Sequence, residues 1–255
     1  HRVDRRQRQM CIRDRWEDRI ESSARSDDER LALRSAHPVW VIRALRRALA
    51  AEGRADELDD LLDADNASPE VTLVALPGLA DPGEPRRPYA PTAFGSPGGD
   101  PHRVIAATGG TVRVQDEGSQ LVALALAAAA PITSGERWLD LCAGPGGKTA
   151  LLAAIAREHD VTLEANEVIP TRARLVRNAL RAVPGEVVVH EEDGRSFGAS
   201  HPGAFDRILV DAPCTGLGAL RRRPEARWRK TPADVAELVP CLLYTSDAAD
   251  DLLCV

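Results

Sequence analysis

The chemistry in this sequence is concentrated in a glycine cluster, a lysine, a series of carboxylates and two cysteines. In Trp138-Leu139-Asp140-Leu141-Cys142-Ala143-Gly144-Pro145-Gly146-Gly147-Lys148-Thr149, an apolar run ends in an acid and three glycines follow within four positions. The apolar run Ala150 to Ala156 comes next, so the segment reads as strand, glycine turn and helix start. Glycines let a backbone approach a ligand closely, and a helix N-terminus presents unpaired N–H groups. Such a site suits a dinucleotide, a phosphate or S-adenosylmethionine. A phosphate-binding P-loop needs a glycine five positions before the one that precedes Lys-Ser/Thr. Counting back from Gly147 lands on Cys142, so that signature fails. The dinucleotide pattern G-x-G-x-x-G also fails, because Gly144, Gly146 and Gly147 give G-x-G-G.

Three further acids fall where a doubly wound sheet would put them. The spacing predicts a second strand over 161–167, ending at Glu167 about twenty residues past the turn, where an acid accepts hydrogen bonds from ribose hydroxyls. A third strand is predicted over 186–190, with Asp193 placed to meet an adenine amino group. The fourth, 205–211, runs through Asp211 into Ala212-Pro213-Cys214-Thr215-Gly216. Each acid alone reads as a solvated loop residue. Four in the same relation to successive strands read as one site.

Asp140 to Thr149, taken together with Asp211-Ala212-Pro213-Cys214-Thr215-Gly216, resembles the Fmu/Sun (RsmB-like) family of ribosomal RNA cytosine-5 methyltransferases. Val114-Gln115-Asp116-Glu117-Gly118-Ser119-Gln120 is similar to the segment that precedes the core in that family, and the resemblance runs from Ser35 to Pro240. It implies an α/β fold with a Rossmann-like, S-adenosylmethionine-dependent methyltransferase core. That core would be an incomplete parallel sheet preceded by a small helical and α+β segment. By the same resemblance Cys142, Ala143, Gly144, Pro145, Gly146, Gly147, Lys148, Glu167, Asp193 and Asp211 contact the cofactor. Asp211 would also orient the target base. The implied substrate is ribosomal RNA of the small subunit, and the implied setting is a cytoplasmic monomer.

Carbon 5 of cytosine is a poor nucleophile, so the family's chemistry begins with a thiolate adding to carbon 6, a form of covalent catalysis. Two cysteines serve it, and Cys214 matches the earlier one, associated with product release. The nucleophile belongs to a later Thr-Cys motif that does not occur in this sequence. After Pro240 the residues 241–255 resemble adapter read-through, as do residues 1–15, and both are set aside as non-native. The expectation is therefore an inactive piece whose fourth strand is an exposed sheet edge, a poorly stable arrangement. A non-catalytic RNA-binding module and a nucleotide hydrolase are the alternatives.

The elements that must position these residues follow from pattern. Residues 16–65 have helical spacing and read as a linker from an RNA-binding part, with Pro38 at a first turn. Residues 66–130 form a pre-core segment: a strand over 71–76, a Pro/Gly-rich loop over 77–99, short strands within 104–114 and a helix over 117–129. The core is 131–240, where strands alternate with helices at 150–156 and 170–182.

A chain of 255 residues allows one or two domains and a sizeable core. Its five cysteines lack paired spacing, which argues against a disulfide framework or a zinc site. No apolar run reaches the roughly 18 residues of a membrane span. The net charge of −6 does not advertise nucleic-acid binding, so local distribution matters more. Arg221, Arg222, Arg223, Arg227, Arg229 and Lys230 cluster around Trp228 just after the Asp-Ala-Pro-Cys motif, and this patch is expected to meet RNA.

Overall fold

The computed structural model describes residues 22–238, together with 19 and 240. The tails set aside at 1–15 and 241–255, with Cys11, Cys241 and Cys254, lie outside the described residues. The described residues divide into two compact units: 22–69 with 214–237, and 70–213 with 238 and 240.

The first unit is helical. Helix α1 (Asp27–Ser35) starts at Ser26, whose hydroxyl accepts from the Glu29 N–H, while the Glu29 carboxylate accepts from the Arg25 N–H. Both bonds satisfy donors that a helix start would otherwise leave open. Pro38, at φ −60°, stands immediately before α2 (Val39–Ala51), and a 3-10 turn (Ala55–Glu57) leads into α3 (Leu58–Asn66). Their apolar faces meet at Ala32, Ile42, Leu58 and Leu62. Residues 27–66 thus hold three α-helices.

One member of the basic cluster departs from its expected role. Arg227, in the short helix Ala226–Arg229, is buried. It donates to the carbonyls of Ala36 (3.1 Å) and Asp65 (3.3 Å) and to the Asn66 amide oxygen (2.8 Å). Carbonyls at helix C-termini lack partners inside the helix, and a guanidinium fork satisfies several at once. Arg227 is therefore an internal fastener and not a phosphate contact. Trp228, 64% exposed, remains on the surface.

The second unit begins with a small antiparallel sheet of β1 (Thr72–Ala75), β2 (Ala93–Gly95) and β3 (Val112–Val114), in the order β2-β1-β3. Two expectations are corrected here. The loop expected over 77–99 contains β2, which pairs with β1 through Leu73 opposite Phe94. Buried Ala93 and Phe94 give those residues an apolar face that Pro/Gly counting overlooks. Residues 104–107, expected as strand, belong to helix α4 (Pro101–Ala107). Asp100 accepts from the His102 N–H at 3.0 Å and Pro101 occupies the first turn, and this start signal overrides the β-branched residues that follow.

Helix α5 (Glu117–Ala128) leads to a parallel sheet of β4 (Arg137–Asp140), β5 (Thr162–Asn166), β6 (Val188–His190) and β7 (Arg207–Leu209). The crossovers carry α6 (Gly147–Glu158), α7 (Pro170–Leu180) and α8 (Gly194–Ser200). The order β6-β5-β4-β7 is that of a Rossmann-like α/β core, as the sequence implies, and β7 lies at one edge among the described strands. Residues 149–156 of α6 are all buried, since this helix packs on the sheet and against α5 and α7 together.

A buried cation fastens α5 to the sheet. Arg207, on β7, donates to the carbonyls of Leu126 (3.1 Å), Ala127 (2.9 Å) and Pro131 (3.0 Å) and pairs with Glu136 at 2.8 Å. Its guanidinium also lies 5.2 Å from the centre of the Trp138 ring. Held by Arg207, the Glu136 carboxyl falls from its ordinary value of 4.5 to about 2.

Candidate functional site

The chemistry-bearing residues of the second unit gather at the carboxyl-terminal ends of the parallel strands. Chain direction puts β5 and β6 on one side of β4 and β7 on the other, so the sheet reverses its order at β4. Ligands of open α/β sheets bind outside such a reversal, where loops leaving neighbouring strands part.

The turn from β4 to α6 is shaped by two glycines. Gly146 has φ +101°, and a Cβ there would lie 2.8 Å from both the Val176 Cα and the Ala179 Cβ of α7. Only glycine permits that conformation together with so close an approach of two helices. Gly144 donates its N–H to the Glu167 carboxylate at 3.0 Å, and a Cβ at this position would lie 2.1 Å from Glu167 Oε2. Glu167, just past β5 and 4% exposed, also accepts from the Ile169 N–H at 3.0 Å. Arg172 at the start of α7 stands 3.6 Å from the same carboxylate and donates to the Gly144 carbonyl. The structure thus brings Gly144, Gly146 and Glu167 into one arrangement.

Lys148, on the first turn of α6, is ion-paired with Asp211 beyond β7 at 2.6 Å and lies 3.4 Å from the Ser119 hydroxyl on α5. The pair bridges the gap at the sheet reversal. Asp193 caps α8 by accepting from the Arg195 N–H and forms a charge pair with the Arg195 guanidinium, which holds its carboxyl at about 2. Its neighbour Gly194 packs near Leu141 at the end of β4. Cys142 is half-buried, with Ala143 buried and Pro145 in the turn between them and α6. Cys214 is exposed and opens the segment 214–237 assigned to the first unit.

What holds these strand ends in place leaves no local signal in the sequence. The Asn166 side chain, buried at the end of β5, donates to the carbonyls of Leu141 (3.2 Å) and Glu192 (3.0 Å) and accepts from the Glu192 N–H (3.0 Å). One amide side chain therefore pins the exits of β4, β5 and β6 together, because it carries both donors and an acceptor. The same holds for Arg172, whose role depends on a carbonyl 28 positions away in sequence.

Asp140 lies beneath the turn, fully buried, and accepts from the Thr149 hydroxyl at 2.7 Å. Burial pushes its carboxyl up from 3.8 to about 6, with Asp211 adding to the effect and Thr149 and Lys148 opposing it. A raised carboxyl pKa favours the folded state while the group is protonated in it. That contribution is present at low pH and is lost as pH rises from about 4 to about 6. Asp140→Asn keeps an acceptor for Thr149 and cannot ionise. Wild type is expected to lose about 3 kcal/mol relative to this variant across the window. Urea unfolding at pH 4, 5, 6 and 7 measures the difference, and parallel pH profiles would refute it.

Comparisons with known proteins bear on the family and the fold. Residues 127–245 match the family described as 16S rRNA methyltransferase RsmB/F. A provisionally named methyltransferase of Mycobacterium tuberculosis (strain ATCC 25618 / H37Rv) is 50% identical over 210 residues, covering 80% of this chain and 45% of the relative. The ribosomal RNA small subunit methyltransferase B of Salmonella paratyphi C is 31% identical over 230 residues, covering 84% of this chain and 51% of that protein. A solved structure named PH0851 superposes with TM-score 0.79 over 90% of this chain and 53% of its own, at 24% identity, a likeness of fold. The chain spans about half the length of the curated relatives it matches.

Proposed function

We propose that this chain, a member of the Fmu/Sun (RsmB-like) family, carries the cofactor-binding core of an S-adenosylmethionine-dependent RNA methyltransferase. The observation that carries this reading is the convergence of the glycine turn, Glu167 and the Lys148–Asp211 pair at the carboxyl ends of β4, β5 and β7. The residues fit such a cofactor. Glycine at 144 and 146 lets the turn sit tight against Glu167 and α7, which fixes its backbone, and the α6 N-terminus lies beside it.

Bound there, S-adenosylmethionine would supply an electrophilic methyl group on sulfur. In our assignment the turn from Cys142 to Gly147 holds its methionine part. Glu167, oriented by two backbone N–H groups, accepts from the ribose hydroxyls through its remaining lone pairs. Asp193 meets the adenine, and Lys148 sets the position of Asp211, which orients the target base. The finer steps are methylation at carbon 5 of a cytosine in small-subunit ribosomal RNA and formation of a cysteine adduct. Both rest on the resemblance of the Asp-Ala-Pro-Cys motif. Cys214 takes the supporting role, and no cysteine of this sequence is assigned as nucleophile. The target cytosine must leave its stack to reach the site, at a cost of a few kcal/mol unless it is already unpaired. We place the enzyme in the cytoplasm as a monomer. No helix among the described residues is long and apolar enough to cross a membrane.

Titration of the chain with S-adenosylhomocysteine and with ATP tests the reading. Saturable binding of the former, without binding or turnover of ATP, is expected. The reverse result would favour a nucleotide hydrolase. Incubation with labelled S-adenosylmethionine and 16S ribosomal RNA is expected to give no 5-methylcytosine, and product formation would overturn the cysteine assignment.

A further inference from the structure

Gln115 lies at the end of the small sheet, one residue past β3, and is 6% exposed. Its backbone is fixed at both ends. The N–H donates to the Thr72 carbonyl at 3.1 Å, and the carbonyl accepts from the buried Gln120 side chain at 3.0 Å. The side chain so placed reaches the glycine turn. From the point where a Cβ on Gly147 would stand, the Gln115 Cδ, Oε1 and Nε2 are the nearest atoms, at 3.7, 3.8 and 4.0 Å. Yet among the described residues neither the amide oxygen nor the amide nitrogen has a hydrogen-bond partner.

Buried amides are almost always satisfied, and an orphaned one costs stability unless something else supplies its partners. Gln120, five positions on, shows the ordinary case: its amide bonds Thr92, Leu73 and Gln115. Gln115 carries one acceptor and two donors with nothing to meet them, directly above the first residue of α6. A ligand group presenting both a donor and an anionic acceptor would match it. The α-ammonium and α-carboxylate of an amino acid form such a group, and the helix N-terminus favours the carboxylate.

We propose that Gln115 is a binding residue for the amino-acid end of the cofactor, its Oε1 accepting from the ammonium and its Nε2 donating to the carboxylate over Gly147. The inference rests on the cofactor reading above and deepens it, because it brings β3 and the pre-core segment into a site otherwise built from the parallel sheet.

Two probes separate the parts of the ligand. S-adenosylhomocysteine carries the amino-acid end, whereas 5′-methylthioadenosine carries the nucleoside and sulfur alone. In calorimetric titrations of the full chain, Gln115→Leu is expected to weaken S-adenosylhomocysteine by about tenfold or more, the worth of one or two hydrogen bonds to charged groups. Binding of 5′-methylthioadenosine is expected to stay within about twofold of wild type. Gln115→Glu keeps the shape and the acceptor but repels the carboxylate, and it should show the same selective loss if the leucine variant does not fold. Unchanged S-adenosylhomocysteine binding, or an equal loss for both probes, would overturn the role of Gln115 while leaving the cofactor reading intact. Failure of the wild-type chain to bind either probe would overturn that reading and this inference with it.

Discussion

Replacing Arg207 by methionine is expected to lower stability by about 3–5 kcal/mol, the usual result of deleting one partner from a buried ion pair. Methionine fills much of the space but donates nothing. The carbonyls of Leu126, Ala127 and Pro131 and the Glu136 carboxylate would all lose their partner. For a chain of this size the thermal midpoint should fall by about 10 °C. The pH dependence identifies the cause. In wild type the depressed Glu136 pKa contributes stability that is full above 4.5 and is lost as pH falls towards 2. The gap between wild type and Arg207→Met should therefore be widest near neutrality and should narrow below pH 4.5. A gap independent of pH would mean that packing against Trp138, and not the ion pair, is what the arginine supplies.

Gly144→Ala is expected to reduce S-adenosylhomocysteine affinity by about 100-fold, the equivalent of two charge-assisted hydrogen bonds. A methyl group there would stand 2.1 Å from Glu167 Oε2 and 2.9 Å from Arg172 Nε. The carboxylate would have to leave the Gly144 N–H, and with it the orientation we assign for holding the ribose. Gly135→Ala is the control. Unlike Gly144, this position forces an alanine to positive φ, at +87°, but the added methyl meets no neighbouring atom within 4 Å. It should cost about 1–2 kcal/mol of stability and leave binding unchanged. Equal effects of the two substitutions on binding would remove Gly144 and Glu167 from the site.

Both predictions concern contacts between residues far apart in sequence, and the same distinction runs through the whole chain. Local signals were sufficient for the parallel core. The apolar runs that became β4, β5, β6 and β7, the glycines after β4 and Pro170 in the first turn of α7 each act within a few residues, so their types and spacing declare strand, turn and helix. The carboxylates at the strand ends were legible for the same reason. In a parallel sheet with crossover helices, every strand exit faces one side, so the acids that follow successive strands are carried to that same side.

What sequence alone left undecided was set by burial and by hydrogen bonds over long separations. Ala93 to Gly95 became a strand because β1 offered an edge and a core to cover, outweighing a Pro- and Gly-rich neighbourhood. Val104 and Ile105 became helical because Asp100 and Pro101 fixed the start. Arg207, Arg227 and Asn166 look like ordinary surface or strand residues in the sequence, yet each is buried with several backbone groups from separate elements. Sequence determined which residues could do chemistry and which strand tips would carry them. Tertiary structure decided which charges turned inward to fasten the fold and which polar groups were left open, because a buried polar group is defined by its partners and those come from distant parts of the chain.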